Sequence, residues 1–149
     1  YSAPMEEVLE KIAVVERRDK ASFSDRVALL RLLRAQRVSR PDLVLKHGVA
    51  LLCHSGSLGD ELWALHEQVA MAALERHELV VAATSITALL ERFGEQSSRV
   101  AKLVGMRREA AGQWGEAEAS YAQALEAAPT NLVLLKRRAA ALRAKGQLG

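Results

Sequence analysis

Three groupings in this chain bring together residue types that do chemistry. The first is His66-Glu67-Gln68-Val69-Ala70. A zinc-hydrolase helix needs two histidines four residues apart, so that both imidazoles reach one ion while the glutamate takes a proton from water. The second imidazole is missing, because Ala70 stands in its place. The second grouping is His47, Cys53 and His54. His47 and His54 sit two helical turns apart, too far to ligate one ion as neighbours, and no fourth ligand is evident. His47 is read as a histidine on an apolar helical stripe and Cys53 as a small core hydrophobe. The third is Lys136-Arg137-Arg138. Three consecutive residues span most of a helix circumference, so they cannot follow one phosphate track. Solvated charge is the first reading of that run, an acidic protein partner the second, and anionic lipid or nucleic acid the last. No aromatic residues interleave with it to stack on bases. No nucleophile has a base at a recognisable spacing, and no glycine-rich phosphate loop follows a strand. The sequence therefore predicts no catalytic residue, no metal site, no cofactor and no nucleic-acid partner.

The composition suits stacked helices better than a deep aromatic-lined pocket. Half of the 149 residues are hydrophobic but only 4% are aromatic, so burial is spread over many small Ala, Leu and Val contacts. The length suffices for a sizeable core. The net charge of +3 is uneven: from Ser98 onward nine basic residues stand against four acidic ones. Such a balance speaks to non-specific attraction, not to fold. A single cysteine excludes an internal disulfide and fits the cytosol or nucleus. No apolar run is long enough for a membrane span, and "YSAPMEEVLE" lacks the features of a secretory signal.

Periodicity predicts eight helices to carry these residues. The first runs from Pro4 to about Arg18, with Met5, Val8, Leu9, Ile12 and Val15 on one stripe. The second opens at a capping box of Ser22 and Asp25, and the third at Ser39 and Asp42, with Pro41 in its first turn. Gly56 is expected to take a left-handed conformation between the third and fourth. The fourth spans Leu58 to Arg76, capped by Ser57 with Asp60, and Trp63 fills the space between adjacent helices. The rest run over Leu79–Phe93, Ser98–Ala111, Gly115–Ala128 and Asn131–Lys145. Leu132, Leu135, Ala139 and Leu142 form the stripe of the last. Linkers of two to eight residues force antiparallel neighbours.

A repeat emerges from these helices. Ala82, Ile86, Leu89 and Phe93 reappear 35 residues later as Ala117, Tyr121, Ala124 and Ala128. Two helices per such period mark a helical-hairpin solenoid. Gly105, Ala117, Tyr121, Ala124 and Pro129 match one tetratricopeptide unit. Gly105 and Ala117 let helix axes draw together, Tyr121 fills the wider gap, and Pro129 stops the second helix. The predicted fold is all-α, a tetratricopeptide-like solenoid in a right-handed superhelical stack. Residues 1–57 are expected to cap it and residues 58–149 to form the repeats, the last of them incomplete. A solenoid needs a cap on its last helix, so Lys145–Gly149 reads as a boundary inside a longer protein.

Several stretches go beyond generic repeat positions. They are "LGDELW" at 58–63, "EQVAMAALE" at 67–75, "LLERFG" at 89–94 and "RVAKLVGMRREA" at 99–110. "AEASYAQALEAAPTN" at 117–131 and "KRRAAALRAKGQ" at 136–147 continue them. In these the chain resembles the family of subunit 2 of the endoplasmic reticulum membrane protein complex, over about ninety residues; residues 24–57 resemble it more weakly. It departs from the family at Arg108, where an aromatic is usual, and at Gly94, which replaces a proline. The resemblance implies a non-catalytic scaffold without a membrane helix, on the cytoplasmic side of the endoplasmic reticulum membrane. Its partners would be the membrane-embedded and small soluble subunits of the complex, which inserts tail-anchored and multipass proteins. Peripheral membrane association would come through those partners. Candidate groove residues on this reading are Lys102, Met106, Arg108, Leu135 and Arg138, while Trp63, Gly105, Ala117, Tyr121 and Pro129 are assigned to packing. The alternatives are a freestanding tetratricopeptide adaptor holding peptide C-termini of chaperones or other proteins, and a basic module binding RNA. A carboxylate clamp would draw on Lys102 and Arg137, but Met106 stands where such a clamp often has asparagine.

Overall fold

Helical periodicity and short linkers translate directly into backbone. A computed structural model of the chain describes residues 3–17 and 21–148, and among them every regular element is helical. The helices are α1 (Ala3–Glu16), α2 (Phe23–Ala35), α3 (Pro41–Leu52), α4 (Glu61–Glu75), α5 (Leu79–Phe93), α6 (Ser98–Ala110), α7 (Trp114–Ala127) and α8 (Leu132–Leu148). A single 3-10 turn, Ser55–Ser57, lies between α3 and α4. Arg18, the expected end of the first helix, and Gly149 lie outside the described residues. The helices divide into two compact units, Tyr1–Ala72 and Ala73–Gly149, with the division inside α4.

Helix starts follow side-chain chemistry in part. Ser22 caps α2, its hydroxyl accepting from the Asp25 amide at 3.2 Å. Ser97 caps α6 in the same way through Val100. The expected cap at Ser39 is not formed: Arg40 is the N-cap of α3, without a side-chain capping bond. Asp42 instead takes the Arg40 guanidinium, at 3.1 and 2.9 Å, a charge-assisted pair that outcompetes a backbone amide. Pro41 stands in the first turn, as its missing N–H allows. Ser57 does not open α4, because it belongs to the 3-10 turn and the helix starts at Glu61. The left-handed glycine of that linker is Gly59, with φ of 57°, not Gly56.

Three helices end in one and the same way. Behind α2, α4 and α6 the chain passes through left-handed Arg37, His77 and Gly112. The following amides, of Val38, Glu78 and Gln113, then reach back to the carbonyls of Leu33, Ala73 and Arg108. This double-backed turn satisfies carbonyls that the helix end would leave open.

In the first unit α1 packs on α2 and α2 on α3. Val8, Val15, Leu29, Leu30, Leu33, Val44 and Leu51 are buried there, whereas Leu9 of the expected stripe is exposed. A Cβ on Gly48 would lie 2.6 Å from Val69 Cγ2 and 3.6 Å from both Leu30 and Leu65. Only glycine lets α3 sit this close to α4. Ahead of Trp63, Glu61 explains part of the "LGDELW" stretch. Its carboxylate receives Arg31 at 2.7 Å and Arg34 at 2.5 Å, both from α2. Arg34 also reaches Gln68, which in turn donates to the Leu30 carbonyl. Trp63 is half-buried, its ring tilted 31° against His66 with 6.1 Å between centroids.

In the second unit α5 packs on α6, α6 on α7 and α7 on α8, with α8 also reaching α6. This is the tetratricopeptide-like hairpin arrangement. Ala101, Ala117, Tyr121, Ala124, Leu125, Leu134 and Ala141 form its core. The 35-residue correspondence holds for its first three positions, since Ala82, Ile86 and Leu89 are buried as Ala117, Tyr121 and Ala124 are. It fails at the fourth, where Phe93 ends α5 and is 48% exposed. The last helix is also rotated from the expected reading. Leu134 and Ala141 face the core, while Leu132, Leu135 and Leu142 point outward.

Candidate partner-binding surface

Among the described residues no three His, Cys, Asp or Glu side chains could hold a metal ion. His66 is buried and burial pushes its imidazole below the ordinary value. His47 is buried against α1, its Nε2 2.9 Å from Glu16 Oε1. Lys46 holds the other Glu16 oxygen at 2.6 Å, and the bonds from Lys46 and His47 draw that carboxyl below its ordinary range. His54 is exposed. Cys53 is exposed too and is not the core residue expected, because α3 stops at Leu52 and leaves it at the C-cap. The His47–Cys53–His54 grouping is thus dispersed.

What remains are surfaces, and charge organises them. Helix α7 carries Glu116, Glu118 and Glu126 and no basic residue, whereas α8 carries five basic residues and no acidic one. The acids of α6 and α7 neutralise part of α8. Arg137 Nη1 lies 3.2 Å from Glu109 Oε2 of α6, and Arg138 Nε lies 2.9 Å from Glu118 Oε1 of α7. From the other side Arg108 of α6 donates to the Glu116 carbonyl and the Ser120 hydroxyl. Two of the five candidate groove residues, Arg108 and Arg138, therefore have their guanidinium groups engaged on α7. Lys102 and Met106 are half-buried one turn apart on α6, and Leu135 is exposed on α8. A further shallow depression lies along α5, lined by Leu79, Val80, Ala83, Thr84 and Thr87, with Arg107 of α6 at its edge.

The packing residues sit as follows. Gly105 faces the Tyr121 ring so closely that a Cβ would fall 2.2 Å from Cε1 and 2.4 Å from Cζ. Ala117 and Tyr121 are fully buried, and Pro129 is exposed just beyond α7. The Tyr121 hydroxyl is buried with no partner in hydrogen-bonding geometry. Burial, with the nearby Glu109 charge adding to it, pushes the phenol well above its ordinary value. The acidic partners Glu109 and Glu118 were not legible as single residues. Their signal is the alternation of basic, acidic and basic helices, which appears only when helices are compared whole.

Comparison with known proteins finds relatives over rather more than half of the chain. It is 35% identical over 94 residues, 63% of its length, to ER membrane protein complex subunit 2 of Xenopus tropicalis. The figures are the same for ER membrane protein complex subunit 2-A of Xenopus laevis. It is 38% identical over 92 residues, 62% of its length, to TPR repeat protein oca3 of Schizosaccharomyces pombe. The matched stretch spans about a third of those relatives, 31%, 31% and 32% respectively. No family model matches the chain.

Proposed function

We propose that the chain is a non-catalytic scaffold element of an endoplasmic reticulum membrane protein complex. It would stand on the cytoplasmic side of the membrane and hold membrane-embedded and small soluble subunits in place while tail-anchored and multipass proteins are inserted. The similarity to the two Xenopus subunits, carried on helices that pack as tetratricopeptide-like hairpins, supports this reading. Among the described residues no helix is long and apolar enough to cross a membrane, and on this reading membrane association comes through partners. On this reading Lys102, Met106 and Leu135 meet partners directly. Arg108 and Arg138 fix α7 against α6 and α8. Binding energy would concentrate at a few buried anchors rather than over the whole surface.

The test is affinity capture of the tagged chain from detergent-solubilised membranes of its own host, read by mass spectrometry. Recovery of several membrane subunits in fixed ratio supports the scaffold. Recovery of chaperones without membrane subunits replaces it with the freestanding adaptor that holds peptide C-termini.

A further inference from the structure

Along one side of α5 lies a short apolar stripe that the hairpin packing leaves open. Val80, Ala83, Thr84 and Thr87 follow one another at helical spacing and share one face over two turns. With Leu79, and with Arg107 of α6, they line the shallow depression. The packed side of α5 is a different one, where Ala82, Ser85, Ile86 and Leu89 are buried. The stripe is not open for want of a following hairpin. Helices α6 and α7 are in place, and Val80 is still 81% exposed.

The depression has a cation and no anion. From Leu79 to Leu90 α5 carries no charged residue. Arg107 is exposed at the edge, and among the described residues no carboxylate is bonded to it. The next pair of helices shows such an arrangement completed. Thirty-five residues after Ala83 stands Glu118 on α7, and it takes Arg138 of α8 at 2.9 Å. On α5 the acid of that pair has become a methyl group, while an arginine still borders the helix.

We infer that this face of α5 docks an amphipathic helix of a partner protein, aliphatic where it meets Val80, Ala83 and Thr84 and carrying a carboxylate against Arg107. Charge selects the occupant: the partner supplies to Arg107 the acid that Glu118 supplies to Arg138. A second copy joined through the same face would bring two arginines together and no acid. A lone arginine is also too little for an anionic membrane, whose attraction builds from clusters of basic residues. The backbone selects a helix. An extended segment needs hydrogen-bond partners along its length. Thr84 already donates to the Val80 carbonyl at 3.0 Å, so past the first turn of α5 the lining offers only the Thr87 hydroxyl and the Arg107 guanidinium. A helix satisfies its own backbone and lays one apolar face into such a depression. The inference does not rest on the scaffold reading, since any assembly could supply this helix.

The experiment is photo-cross-linking of the protein expressed in its own host, with benzoyl-phenylalanine in place of Val80. That residue is exposed, so the replacement keeps the fold. The cross-linked peptides are sequenced by mass spectrometry. The expected product joins position 80 to one segment of another protein, with aliphatic residues three or four apart and an Asp or Glu within a turn of them. Arg107→Glu should lower its yield about tenfold, and changing the partner's acid to arginine should restore it. Ala83→Glu should lower the yield as well, by giving Arg107 an acid within its own chain. Arg143→Glu, on α8, should leave it unchanged. Absence of any product overturns the inference, as does equal yield with and without Arg107→Glu, or a linked segment that has no acid. A product between two copies overturns it in favour of self-association, and a product with lipid alone in favour of a membrane surface. If the expected products form while affinity capture finds no membrane subunits, the scaffold reading falls and this site stands.

Discussion

Gly105 and Tyr121 show how much a single residue pair decides. The glycine removes a side chain where the tyrosine ring needs the room, and the ring is itself completely buried. Gly105→Ala would ordinarily favour a helix by about 1 kcal/mol. Here its methyl group meets a ring with nowhere to go, and the overpacking cost of about 1–3 kcal/mol wins. A lowered melting temperature is expected by circular dichroism, and an unchanged or raised one refutes the close contact. Tyr121→Phe tests the hydroxyl. Because the buried oxygen has no hydrogen-bond partner, its removal should change stability at pH 7 by less than about 1 kcal/mol. In alkali the two chains should part. The phenol is raised in the folded state, so its contribution is present below its ordinary value of 10.0 and is lost as pH rises beyond it. Denaturant unfolding at pH 8 and pH 11 should show a steeper loss for the natural chain than for Tyr121→Phe. Spacing alone pointed to both residues. That the ring lies directly on Gly105 depended on helix rotation, which no spacing records.

At the scale of elements, packing overrode local signals at several ends. Ser22 caps α2 as its sequence implies, but Arg40 takes Asp42 away from the capping role at α3. The turns behind α2 and α4 use left-handed Arg37 and His77, where glycine would be the sequence cue. Helix positions were legible because 3.6-residue periodicity is strong over twelve or more residues. The face of α8 was not, because Leu occurs all around it and the buried side is chosen by its neighbours. Between α2 and α4, Glu61 is the hub. Burial raises its pKa, but Arg31 and Arg34 outweigh this and hold it below its ordinary value of 4.5. A carboxylate lowered in the folded state contributes stability above that value and loses it as pH falls through and below it. Glu61→Gln should cost about 1 kcal/mol at pH 7, since the pair is partly exposed. The loss of stability from pH 5 downward should be shallower in the variant than in the natural chain. Equal slopes in urea titrations at pH 5 and pH 3 would remove Glu61 from that role.

Within each unit the described helices that pack closely are neighbours or next neighbours in sequence, such as α1 with α2, α2 with α3, α5 with α6, α6 with α7, α7 with α8 and α6 with α8. Local contacts of this kind require little loop closure before they are rewarded, and helical proteins built from them fold in about microseconds to milliseconds. Temperature-jump relaxation should find the main folding phase there, and a main phase of seconds would contradict so local a topology. The same locality explains what could be read in advance. Helical class, linker lengths and the hairpin pattern are all short-range properties. Ion pairs such as Glu109–Arg137 and Glu118–Arg138 join residues 28 and 20 positions apart, and only the stacked helices reveal them.

Cys53 gives this chain a practical property. It is the only thiol in 149 residues, and it sits in solvent at the end of α3. A maleimide dye or spin label would therefore attach at one known place without any mutation. The attached reporter would follow the first unit while variants such as Gly105→Ala are made in the second.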